Sequence, residues 1–470
     1  MSPDDKNVQM ARRIAEAVAD AGGRTYYVGG CVRDGLLGRD NKDIDIEVHG
    51  IPVQTLERIL DSLGERLTMG ASFGIMGLRH YELDIAMPRS ETATGRGHKD
   101  FEVFVDPFLG AEKAARRRDF TMNALMQDVL TGEILDFFGG REDMRRGLLR
   151  HVDDSSFGED PLRVLRAAQF AARFGFAVAD ETRMLSARMD LAALPGERVM
   201  GELEKALLKS DKPSVFFGEM RKMRQLSVWF PELEALIGIG QNPRFHPEGD
   251  VWTHTMQVLD EAAALRGEAK EPLWFMLSAL CHDLGKAVTT EERNGVLHAY
   301  GHEKAGQPLT KSFLRRLTSE TKLIEYVLNM TCLHMKPNVL ADGGSKTKSY
   351  MRMYDEALCP EDLLLLAKAD YLGCRGAQDT RGAMLEAYVP TERHLREMLT
   401  LYTERMSVPY LMGRDLVEAG LQPGPLFTQA LAEAHNLRLA GRPKHEQLKA
   451  ALTFIRKQEK EQKDAKPDRS

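Results

Sequence analysis

Apolar positions recur at helical spacing over residues 8–21 and stop at Gly22-Gly23, which predicts an opening helix closed by glycine. Residues 26–28 read as a short strand that runs into a second glycine pair, Gly29-Gly30, and residues 31–37 read as the start of a helix. Residues 44–48 alternate apolar and acidic positions, the period of a half-buried strand. An amphipathic helix is predicted over residues 53–63. Further strands are predicted at 74–78, 81–85 and 102–105, with a loop over 95–99. The first 138 residues thus predict a mixed α/β module.

From residue 160 onward the two-residue period is rare. Helical patterns cover 162–174, 181–189, 198–208, 213–223, 253–265, 273–282, 309–317, 322–333 and 361–372. The remainder is also helical, with a break at 420–425. Residues 457–470 carry mixed charge without apolar anchors and read as a frayed tail.

Composition narrows the class. No apolar run is long enough to span a bilayer, and the first ten residues lack a signal-peptide core. Cys31, Cys281, Cys332, Cys359 and Cys374 are odd in number and never spaced CxxC, which predicts reduced thiols and a cytoplasmic protein. A net charge of −6 is not the footprint of a non-specific nucleic-acid binder, so an RNA partner needs a local basic surface.

Candidate chemistry concentrates in five short stretches. Gly29 and Gly30 let backbone N–H groups approach a phosphate chain, with Arg33 one turn on and Asp34 able to orient it. Asp43 and Asp45 share one face of their strand, an arrangement that a divalent cation such as Mg²⁺ stabilises in nucleotidyl transfer. Glu82 and Asp84 share a face of a later strand, and either supplies a third carboxylate. The run Arg116-Arg117-Arg118-Asp119 leads into an apolar segment, with Asn123 one turn beyond Asp119. Asp136 to Asp143 is a glycine hinge with helix-start residues after it. Finally, Asp160, Arg163 and Arg166 fall on one helical stripe behind Pro161. A carboxylate and a guanidinium held there can read the Watson–Crick edge of cytosine or adenine, each with an amine beside a ring acceptor. Uracil and guanine would leave buried polar groups unpaired.

These motifs, in this order over residues 25–210, resemble the class II tRNA nucleotidyltransferases: the CCA-adding enzymes and the related bacterial poly(A) polymerases. Glu197-Arg198-Val199 with Glu202 and Lys205 fits that family's neck helix. The resemblance implies that Gly30 and Arg33 bind the triphosphate, that Asp43 and Asp45 hold Mg²⁺, and that Arg118 contacts nucleotide. It further implies that Asp160, Arg163 and Arg166 select CTP and ATP without a template. Many relatives carry another arginine where this chain has Gln169, which is therefore left unassigned.

A second constellation lies further along. His254, His282-Asp283 and Asp370 can chelate a divalent metal, and His302 and His334 can hold another ion. Cys281 to Lys286 resembles the HD phosphohydrolases, and Phe245 to Glu248 resembles the HD-bearing branch of the CCA-adding family. That branch is credited with phosphatase and cyclic-phosphodiesterase activity.

The resulting expectation is an α+β chain. A nucleotidyltransferase head with a mixed β-sheet (1–140) precedes all-α neck and body (141–245), HD (246–375) and RNA-holding tail (376–470) regions. Its partners are tRNA, ATP and CTP, with no membrane; its oligomeric state is not legible. Two other readings stay open. One is a narrower product: poly(A), CC only or A only, of which a processive poly(A) polymerase is disfavoured by the lack of a strongly basic C-terminal extension. The other is an HD phosphohydrolase with a non-catalytic RNA-binding head.

Overall fold

The computed structural model describes residues 5–39, 43–69, 75–93, 101–376, 378–407 and 410–464. The predicted loop at 95–99 lies outside them. The chain divides into two compact units, Met1–Trp229 and Phe230–Ser470.

The first helix, Lys6–Asp20, is capped by the Asp5 side chain and buries Met10, Ala11, Ile14, Ala15 and Val18 along one stripe. It ends where Gly22 takes φ +86° and Gly23 comes so close to the strand Ile44–His49 that a Cβ would sit 2.7 Å from the His49 carbonyl. The head portion of this unit holds, among the described residues, β1 (Arg24–Val28), β2 (Ile44–His49), β3 (Arg66–Met69), β4 (Ile75–Leu78), β5 (Leu83–Ala86), β6 (Arg89–Ala93), β7 (Phe101–Val105), β8 (Met126–Asp128) and β9 (Ile134–Leu135). Seven form a sheet in the order β3-β4-β5-β2-β1-β8-β9, while β6 and β7 pair separately. The β2–β5 pairing is parallel and the others are antiparallel. Ile44, Ile46 and Val48 of β2 are buried, which leaves Asp45, Glu47 and His49 on the opposite face.

Strands β3, β6, β8 and β9 have no counterpart in the sequence pattern. β8 and β9 hold only three and two residues. They are joined by a turn in which the Asp128 carboxylate accepts from the Leu130 and Thr131 N–H groups. The helix Leu162–Phe174 forms where its apolar period predicts and packs on Gly196–Lys209 and Ser214–Lys222.

In the second unit Val251–Leu265 packs on Pro360–Gly373 and Pro272–Cys281, and His302–Leu317 packs on Thr321–Leu333. A hairpin of Glu291–Arg293 and Val296–His298 interrupts the helices, and a two-residue pairing at 148–149 and 177–178 does so in the first unit. Two expectations are corrected. The helix predicted at 309–317 starts at His302 and keeps Pro308 in its second turn. The tail predicted to fray from residue 457 is helical through Asp464. Ala451 and Ile455 bury against Leu416, Ala430 and Ala434, and a helix already nucleated there extends at little cost. Among the described residues no helix is long and apolar enough to cross a membrane.

Candidate active site and metal centre

The first site forms on the polar face of β2. In the parallel register Asp45 lies directly beside Asp84 of β5. Both line an open cleft of about 310 Å³ with Glu47, Arg89, Arg117, Arg118 and Arg163. Burial pushes the Asp45 carboxyl above its usual range, and the charges of Asp84 and Asp43 push it further; only Arg118 opposes them. A strand pairing that forces like charges together at the floor of an arginine-lined cleft suits a divalent cation. Glu82 precedes β5 and does not line the cleft; Asn7 holds its backbone N–H.

The glycine turn joins β1 to the short helix Gly30–Leu36. Gly29 takes φ +69°, and a Cβ there would lie 3.2 Å from Arg118 Nη1 and 3.6 Å from Asp45 Oδ2. The turn, the arginine and the carboxylate therefore meet at one point. Gly29→Ala is expected to cost about 1–3 kcal/mol through backbone strain alone and to push Arg118 aside. A fall in melting temperature together with weaker nucleotide binding checks this.

Arg33 is buried, not in the cleft. Its Nε donates to Asp34, its Nη1 donates to Asn123 Oδ1 at 2.7 Å, and the guanidinium stacks on Phe170 and Phe174. Asn123 Nδ2 donates to Asp119 Oδ1, and Asp119 Oδ2 accepts from Arg166 Nε at 2.7 Å. Burial pushes the Asp119 carboxyl up, but Arg166 and Asn123 outweigh it and hold it low. One polar chain thus ties the glycine turn to the helix Leu162–Phe174.

Just ahead of that helix Asp160 Oδ1 accepts from the Leu162 N–H, and its Oδ2 pairs with Arg198 at 3.0 Å. Arg163 donates to the Arg117 and Ser156 carbonyls and borders the cleft. Arg166 sits deeper, on Asp119.

The second site lies wholly in the second unit. His282, His302 and His334 each present Nδ1 to a backbone carbonyl, of Ala279, Ala299 and Thr331, at 2.7–2.8 Å. His254 Nδ1 faces Glu248 Oε1 at 2.8 Å. With Nδ1–H so committed, the Nε2 lone pairs turn inward. They meet in two pairs, His254 with His282 and His302 with His334, each 3.3 Å apart. Asp283 lies between the pairs. Its Oδ2 is 3.5 and 3.2 Å from the first pair and its Oδ1 is 3.3 and 3.8 Å from the second. Asp370 Oδ1 joins the first pair, 3.0 Å from His254.

Two nitrogen lone pairs at that separation repel unless a proton or a cation lies between them. Burial pushes His254 down, yet Asp370, Cys374 and Glu248 carry it well above the usual imidazole range. Burial also disfavours charge on His302, yet Asp283 raises it, while burial and His282 lower His334 to about 4. Each group, His254–His282–Asp370 and Asp283–His302–His334, has ligand spacing for a metal ion. The paired donors would suit divalent cations, with Asp283 placed to serve both groups.

Sequence reasoning missed three neighbours. The Glu248 side chain is buried and orients His254, with its carboxyl lowered to about 2. Burial opposes this, and hydrogen bonds from His246 and His254 outweigh it. Lys286 reaches Asp283 Oδ2 at 2.7 Å and donates to Gln241. Gly285 packs so tightly on the start of the His302 helix that a Cβ would lie 2.0 Å from the His302 carbonyl. The HPE and HDLGK stretches were visible, but not which partner each side chain takes.

Residues 25–150 match the poly A polymerase head domain family and residues 251–373 match the HD domain family. The chain is 35% identical over 370 residues to the multifunctional CCA protein of Actinobacillus pleuropneumoniae serotype 5b, covering 75% of this chain and 86% of that one. Its fold is similar to the Bacillus stearothermophilus CCA-adding enzyme in complex with CTP (TM-score 0.63, 21% identity, 99% and 100% coverage). It is also similar to the Thermotoga maritima CCA-adding enzyme complexed with tRNA (TM-score 0.61, 19% identity, 97% and 96% coverage). Head, HD motif and near full-length likeness agree: the chain belongs to the multifunctional CCA protein family of CCA-adding tRNA nucleotidyltransferases.

Proposed function

We propose that this enzyme adds CCA to the 3′ end of tRNA from CTP and ATP with Mg²⁺, and that its helical unit carries a phosphohydrolase centre. The observation that carries the first part is Asp45 set beside Asp84 at the floor of a cleft lined by Arg117, Arg118 and Arg163. The relatives solved with tRNA and CTP support those partners.

In this reading Asp43, Asp45 and Asp84 hold the cation, which when bound neutralises the reacting phosphate and acidifies the attacking 3′-hydroxyl. Gly30 and its neighbours offer backbone N–H groups to the triphosphate, and Arg118 pairs with it from above the turn. Arg33 and Asn123 hold that turn from beneath. Asp160 and Arg163 read the base edge, and Arg166 fixes their helix through Asp119. Asp160 exchanges its hold on Arg198 for the amine of the base.

The test is a tRNA trimmed of its last three nucleotides, incubated with all four nucleoside triphosphates and sequenced. The expected product ends in CCA. A run of adenosines identifies a poly(A) polymerase, and growth halted at CC or needing a preformed CC identifies a partial enzyme. No incorporation leaves the phosphohydrolase reading alone.

In the second centre His254, His282, Asp370 and Asp283 hold one cation, and Asp283, His302 and His334 hold another. Bound there, the metals supply Lewis acidity toward a phosphate ester. Lys286 adds a positive charge for a phosphate oxygen, and Glu248 keeps His254 oriented. Release of phosphate from monoesters or opening of a 2′,3′-cyclic phosphate, assayed across a panel of divalent cations, checks this reading. Gly285→Ala is expected to displace the His302 helix and lower hydrolysis about 10-fold or more by disturbing the second ligand pair. Nucleotide addition should not change.

A further inference from the structure

We propose that Glu47 is a positioning residue of the transfer site, which holds the Arg118 guanidinium at the glycine turn and keeps it off Asp45. Glu47 stands two residues beyond Asp45 on the same face of β2, so both carboxylates reach the cleft. Yet Glu47 is only 9% exposed and both its oxygens are engaged. Oε1 faces His49 Nε2 at 2.8 Å, and Oε2 accepts from Arg118 Nη2 at 3.4 Å. His49 is itself buried, with its ring edge-on to Tyr26.

A carboxylate so committed is not free for the cation that Asp45 and Asp84 suit. Its effect falls on Arg118. One face of that guanidinium is anchored on Glu47, while Nη1 overhangs the Gly29 turn. Asp45 is the competing carboxylate within Arg118's field. Without Glu47 the guanidinium closes on Asp45, where it neutralises a cation ligand and is no longer held for phosphate. Glu47 thus separates two tasks on one strand face: Asp45 for the cation and Arg118 for phosphate.

This inference rests on the assignment of Arg118 to the nucleotide's phosphates, and a double-mutant cycle separates the two claims. Equilibrium binding of ATP, CTP and AMP is measured for the full chain, Glu47→Gln, Arg118→Ala and the double variant, with melting temperatures as a folding control. Arg118→Ala should weaken ATP and CTP about 10-fold or more and AMP little. Glu47→Gln, nearly isosteric, should weaken both triphosphates about 5-fold with the ATP/CTP ratio unchanged. The double variant should bind like Arg118→Ala alone, because Glu47 acts through that arginine. Unchanged binding in Glu47→Gln, additive losses in the double variant, or an altered base preference would each overturn the proposal. Unchanged binding in Arg118→Ala would remove the phosphate assignment itself, and the positioning role with it. If Glu47→Gln melts early, Glu47→Asp in the same cycle decides between packing and coupling: only coupling to Arg118 vanishes in the Arg118→Ala background.

Discussion

Asp45→Asn should reduce nucleotide incorporation into trimmed tRNA by about 10³-fold or more, the scale on which removal of an electrostatic anchor of a transition state is felt, and should not lower the stability of the metal-free protein. The two halves of this expectation have one cause. Asp45 is held beside Asp84 by a parallel β-pairing, half-buried, with Asp43 adding to the same field. Its folded pKa is therefore raised above the ordinary 3.8. A carboxylate raised in this way contributes most stability when protonated. Its contribution is full below 3.8 and is lost as pH rises through the folded value. Metal-free protein should thus lose part of its stability as pH climbs from 3.8 into the raised range, and Asn should abolish that slope. A divalent cation should restore stability in the parent and have less effect in the variant. Melting curves against pH, with and without Mg²⁺, read the stability half, and incorporation of labelled CTP and ATP reads the other. Undiminished incorporation would remove Asp45 from the chemistry. A large stability loss at neutral pH would show that the carboxylate serves the fold.

Much of this site is legible in the sequence because the strand period carries it. The alternation Asp45, Ile46, Glu47, Val48 states which side chains meet the core and which the cleft. Long helices are equally plain: Leu162–Phe174 has both its bounds and its buried stripe in its apolar spacing. What escaped depends on contacts far apart in sequence. The choice between Glu82 and Asp84 is made by the β2–β5 register, which no local pattern encodes. The burial of Arg33 needs Phe170, Phe174 and Asn123, more than 85 residues away. Short strands such as β9, two residues long, hold too little pattern to read. In the second unit the motif residues were visible singly, but their sorting into two facing pairs depends on where four helix ends converge.

The role of Asp283 in that sorting gives the other large effect. Asp283→Asn should lower phosphohydrolase activity by about 10³-fold or more and weaken both metal sites, whereas His302→Ala should weaken one. Asp283 alone among the ligands faces both histidine pairs, one oxygen to each. Burial would favour its neutral form, but Lys286, His282 and His302 outweigh it and hold the carboxyl well below its usual range. The charge is thus present toward both groups of donors. Asparagine keeps the shape but offers one side an N–H₂ group, a donor where a ligand is needed. It also leaves the Lys286 ammonium, 7% exposed, donating to Gln241 without its carboxylate partner. Loss of one member of a buried ion pair costs about 3–5 kcal/mol, so the variant should melt earlier. Lys286→Met combined with Asp283→Asn should recover part of that stability without recovering metal or hydrolysis, which separates folding from chemistry. Metal content after dialysis, measured by mass spectrometry on the intact chain, distinguishes the bridge from a single-ion ligand. If Asp283→Asn and His302→Ala lose the same fraction of bound metal, Asp283 serves one site only. Nucleotide addition should persist in both variants, because every residue assigned to its chemistry lies in the other unit.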